Sequence, residues 1–151
     1  MNRIIGACIA ALLCAGQAWA GEVAVSDATT RATVPGQSGA VLRFFVTSSK
    51  DAQLLEISSP LAGAAEIHSM THEQGVMKMR PLKSLALPAG KKIELGSEGN
   101  HVMLLDLKQP LKEGDSVPFI LTVQFTDKRK ETVKAVAVVK PLDDGHHHHS
   151  H

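Results

Sequence analysis

Apolar and polar residues alternate along this chain in short runs separated by turn formers. Segments rich in Val, Ile, Leu, Phe and Thr occupy residues 40–47, 53–58, 65–70, 76–80, 92–95, 101–107, 118–125 and 132–139. In Ile120-Leu121-Thr122-Val123-Gln124-Phe125 the alternation has a period of two, that of a half-buried strand. Breakers lie between the runs: Pro35-Gly36, Ser59-Pro60, Pro88-Ala89-Gly90, residues 96–100 and Glu113-Gly114-Asp115. Residues beyond 20 show no long helical period, internal repeat or second domain. Seven or eight short strands at this spacing predict an all-β fold, an antiparallel sandwich or Greek-key barrel.

The two ends read differently. Arg3, the apolar run 4–13 and Ala18-Trp19-Ala20 form a secretory signal expected to be cut after Ala20. The apolar run is too short to remain as a membrane span. Ile5-Gly6-Ala7-Cys8 has the form of a lipoprotein box but comes too early, and Leu13 before Cys14 is too large, so lipidation is expected at neither cysteine. Residues 21–142 are then one domain, and 143–151 are a low-complexity, disordered tail carrying His146, His147, His148, His149 and His151.

Removing the signal changes the chemistry available. Both cysteines and the one tryptophan leave with it, and no tyrosine exists. A disulfide is excluded, although an exported protein can use one. The remaining 15 basic and 15 acidic residues balance, which gives no basis for binding nucleic acid or inserting stably into a membrane. A monomer in the periplasm is expected.

The candidate metal donors are concentrated. Met70, Met77, Met79 and Met103, with His68, His72 and His101, all fall within residues 68–103. In an extended segment, side chains at i and i+2 share a face. His101 with Met103, Met77 with Met79, and His68 with Met70 and His72 would therefore each point one way. Thioether sulfur is soft and suits Cu(I) rather than Zn(II), Ca(II) or Mg(II), while imidazole suits copper in either state. Thioethers also cannot cross-link in an oxidising compartment, and their weak grip suits release. A lone methionine on a strand is usually core filler. Met70 and Met77 are read as packing or auxiliary residues, and His72 as surface.

The spacing His68, ten residues, Met79, twenty-one residues, His101, one residue, Met103 resembles the signature of the PCu(A)C family of periplasmic copper chaperones. Val76-Met77-Lys78-Met79-Arg80-Pro81, Leu87-Pro88-Ala89-Gly90, Asn100-His101-Val102-Met103-Leu104 and Leu111-Lys112-Glu113-Gly114-Asp115 resemble further family segments. Ala28-Thr29-Thr30-Arg31-Ala32 departs from them by lacking a tryptophan before the arginine. The resemblance covers nearly all of residues 22–140. It implies a cupredoxin-like or immunoglobulin-like β-sandwich holding Cu(I) with His68, Met79, His101 and Met103. It implies delivery toward the copper centre of a respiratory oxidase subunit, with Sco-type metallochaperones as partners. The tail imidazoles would take Cu(II) as a second site.

Other functions fit less well. A blue-copper carrier needs a cysteine ligand. The helical zinc-hydrolase motif fails because no histidine lies four residues after His72, and no nucleophile arrangement is evident. No enzymatic activity is expected. An adhesin-like module leaves the ligand spacing unexplained. Copper sequestration uses the same site and differs only in the destination of the metal.

Overall fold

A computed structural model describes residues 21–96 and 99–142. The expected signal 1–20 and the tail 143–151 lie outside the described residues. Ten strands and no helix occur among the described residues: β1 (Val23–Arg31), β2 (Ala40–Ser48), β3 (Ala52–Ser58), β4 (Ala62–Glu73), β5 (Val76–Leu82), β6 (Leu85–Leu87), β7 (Lys92–Leu95), β8 (Asn100–Leu107), β9 (Ser116–Phe125) and β10 (Lys130–Lys140). No described helix is long and apolar enough to cross a membrane.

All eight expected segments are strands. The spatial order is β5-β4-β8-β2-β1-β10-β9-β3-β6, with β7 also on β2. Every pairing is antiparallel except β1 with β10, which run parallel through Thr29–Val138, Thr30–Val139 and Arg31–Lys140. The sheet is therefore mixed.

Alternation decides which way each strand faces. On β2, Leu42, Phe44 and Val46 are buried while Val41, Arg43 and Phe45 lie on the other face. On β9, Val117, Phe119, Leu121, Val123 and Phe125 are buried. The Phe44 and Phe119 rings meet with centroids 5.2 Å apart, although β1 and β10 separate their strands in the hydrogen-bonding order. The hydrogen-bonded path therefore curls so that its inner faces enclose a common core. Each fully buried Leu, Val or Phe side chain contributes roughly 1.5–3 kcal/mol of transfer free energy.

β8 belongs to this core through one face only. Val102 and Leu104 are fully buried, and β8 is paired on both edges, by β2 through Ala40–Leu104, Val41–Met103 and Leu42–Val102 and by β4 through seven residue pairs from Ala62–Leu107 to Ser69–Asn100. β4 outruns the core. It joins β5 through the two-residue loop Gln74-Gly75, with φ of 52° and 78°. Positive φ at both positions marks the type I′ hairpin, whose twist matches that of the strands. The resulting register pairs Ile67 with Leu82 through to Glu73 with Val76 without a shift.

Candidate metal centre

Strand register brings the predicted donors onto one surface. His68 lies directly opposite His101, and Glu66 opposite Met103, across β4 and β8. Across β4 and β5, Met70 lies opposite Met79, His72 opposite Met77, and His68 opposite Pro81. Residues opposed in an antiparallel pair share a face. His68, Met70, Met79, His101 and Met103 thus share the face opposite to the one that Ile67, Val102 and Leu104 send into the core.

His68 and His101 form the middle of this surface. Their rings meet edge to face with centroids 5.5 Å apart. A metal about 2.0 Å from one nitrogen of each ring would keep the centroids roughly 5–6 Å apart. The two imidazoles are therefore spaced to share one ion. His101 is 7% exposed. Burial first, and the neighbouring charge of His68 second, push its pKa below the ordinary histidine value, opposed by a backbone hydrogen bond with Gly99. Metal binding requires a neutral imidazole.

The thioethers sit on opposite diagonals of His68. Met103 is one strand away toward Glu66, and Met79 one strand away toward Met70. Diagonal neighbours lie about 7–8 Å apart, within reach of long side chains. Met103 is half-buried, and a Cβ on Gly39 would come within 3.7 Å of its methyl group. Met79 is 58% exposed. Met70 is half-buried, next to His68 along β4 and directly across from Met79, so it is as near to the histidine pair as Met79 is.

Met77 differs from the packing reading. It is 53% exposed and lies across from exposed His72, four residue pairs beyond Pro81–His68. The hairpin has left the core at this point, so Met77 is exposed among the described residues. The tail histidines His146, His147, His148, His149 and His151 lie outside the described residues.

Sequence reasoning passed over Glu66. Its Oε2 is 2.7 Å from Nε2 of His68. Its position two residues before His68 on a strand was the available signal. His68 Nδ1 is buried without a hydrogen-bond partner among the described residues. Among the described residues no three His, Cys, Asp or Glu side chains converge to hold a metal. The donors this face presents are two imidazoles and neighbouring thioethers, a set that suits a soft ion.

These features define an all-β domain with a two-histidine, methionine-flanked outer face, which comparison with known proteins then assigns to a family. Residues 23–138 match the model of the LpqE-like lipoprotein family. The chain belongs to this family, the family of PCuAC domains. It is 31% identical over 106 residues to a protein of Leifsonia xyli named as a lipoprotein, Lxx21020, aligning with 70% of this chain and 63% of that one. The chain spans less than two thirds of the curated relatives it matches, the second being RP573 of Rickettsia prowazekii at 48%. Among solved structures, apo-DR1885 of Deinococcus radiodurans is 29% identical with a TM-score of 0.56, covering 97% of this chain and 100% of that one. The form titled CuI-DR1885 is 32% identical with a TM-score of 0.52, covering 75% and 74%. The apo PCuAC domain from PmoF1 shares the fold at 22% identity, with a TM-score of 0.62 and coverage of 81% and 96%.

Proposed function

We propose that this chain is an exported carrier of Cu(I), which it holds between His68 and His101 with Met79 and Met103 completing the shell. The observation that carries this reading is the paired histidine row, spaced for one ion and flanked on both diagonals by thioethers. The Cu(I)-bound relative supports the choice of metal. The lipoprotein name of the family and of the Leifsonia relative supports a place outside the cytoplasm.

The site suits release as well as binding. One thioether stands on an exposed hairpin, where an acceptor can reach it without opening the core. The acceptor proposed is the copper subunit of a respiratory oxidase, with Sco-type metallochaperones acting alongside. The test is anaerobic titration followed by transfer. One equivalent of Cu(I) is expected to bind at this face, and His101→Ala is expected to weaken it by at least about 100-fold, more than the loss of a ligand's outer partner costs. The loaded protein is expected to metallate an apo oxidase subunit faster than buffered Cu(I) does. Equal rates would leave a sequestering protein instead, and unchanged affinity in His101→Ala would refute the site.

A further inference from the structure

We infer that Glu66 is the positioning residue of this centre: it holds Nε2–H of His68 and commits the ring to offer Nδ1 to the metal. The inference rests on the copper-carrying reading and adds the ligand atom and the residue that selects it.

The argument begins with one contact. Glu66 Oε2 and His68 Nε2 are 2.7 Å apart. An ionised carboxylate only accepts hydrogen bonds, so Nε2 must carry the proton. A neutral imidazole has a single N–H, which leaves Nδ1 as a bare lone pair. That nitrogen is buried and has no hydrogen-bond partner among the described residues. Buried polar atoms in native proteins are normally satisfied, and an orphan calls for a cause. A lone pair kept for an incoming ion is such a cause. A proton on Nδ1 would find no acceptor there.

Metal-bound histidines usually donate their second N–H to a carboxylate or carbonyl, which fixes the tautomer and raises the basicity of the ligating nitrogen. Glu66 can be altered by substitution. It lies opposite Met103, and its side chain is 46% exposed, so its removal leaves the core intact.

The experiment uses long-range ¹H–¹⁵N spectra of the imidazoles in the purified protein, with Cu(I) as the probe. In the apo protein His68 should show the Nε2–H tautomer. Cu(I) should then shift the ¹⁵N resonance of Nδ1. Glu66→Ala should mix the two tautomers and weaken Cu(I) binding by roughly 10- to 100-fold. Glu66→Gln, whose amide oxygen still accepts, should recover much of both, and it carries the test if Glu66→Ala fails to fold. A coordination shift at Nε2, with Glu66 displaced, overturns the inference, as does a Glu66→Ala protein with unchanged tautomer and affinity. If His68→Ala binds Cu(I) as tightly as the unaltered protein, it is the copper-carrying reading that fails.

Discussion

β8 and β5 bring the same kind of donor to the same face by different means. β8 is hydrogen-bonded on both edges and fully buried through Val102 and Leu104. His101 and Met103 are therefore fixed by the core on the reverse side of their own strand. β5 has no such reverse side. Every residue from Val76 to Pro81 is exposed, and the strand is held by the ladder to β4, the Gln74-Gly75 turn and the surface ion pairs of Lys78 and Arg80 with Glu73. An isolated two-stranded hairpin is marginal in water, and elements with few buried contacts open locally at low free energy. One half of the site is thus built for precision and the other for access.

This contrast is broken most directly by stability measurements. Leu104→Ala removes a fully buried side chain behind the site and is expected to cost about 2–5 kcal/mol in urea unfolding. Met79→Ala removes an exposed one and should change apo stability by less than about 0.5 kcal/mol. If Met79→Ala destabilised the apo protein as much as Leu104→Ala does, the hairpin would be part of the core and the division would be wrong.

Copper affinity sharpens the same comparison. Met103→Ala removes a thioether whose strand is already in place, so its full contribution should be lost, about 10- to 100-fold in Cu(I) affinity, on the scale of perturbing a metal's shell. Met79→Ala is expected to cost less, about 10-fold, because part of Met79's binding free energy is offset by ordering an exposed side chain. Met70 stands directly across from it and can supply sulfur in its place. The double substitution Met70→Ala with Met79→Ala should then lose more than the two single effects added together. Strict additivity would show that Met70 stands apart from the metal.

The sequence made most of the fold legible, because the strands that build the core advertise themselves by alternation. β2 and β9 are the clearest cases, with every second residue buried. β1 escaped notice for a physical reason. Its register with β2 shifts between Ser26 and Thr29, Asp27 has a φ of 52°, and the strand is held by ladders on both edges rather than by an apolar stripe. β6 is three residues long and carries too little pattern to read. At the site, i and i+2 spacing correctly grouped His101 with Met103. It could not show that His68 pairs with His101, since β5, β6 and β7 intervene between β4 and β8 in the chain and no tight turn sets their register; such a turn sets only Met70 against Met79, through the β4–β5 hairpin. Gln74-Gly75 was the local signal for that hairpin. The Glu66 contact needs the side-chain conformations themselves.

The smallest expected effect is a pH dependence on the rigid side of the site. His101 has its pKa lowered in the folded protein, chiefly by burial and then by the charge of His68. In the unfolded chain it titrates near the ordinary value of about 6.5. Below that pH the unfolded state binds a proton that the folded state resists, so stability falls as the pH drops. The loss begins near the unfolded value and levels off once the pH is below the folded one; above both, no contribution changes. In the apo protein, the urea midpoint should therefore decline between about pH 7 and pH 5. His101→Gln should remove this part of the decline, while His72→Gln, on the exposed hairpin end, should leave it in place. A decline of equal size in the His101→Gln protein would mean that the buried ring is not what couples this face to pH.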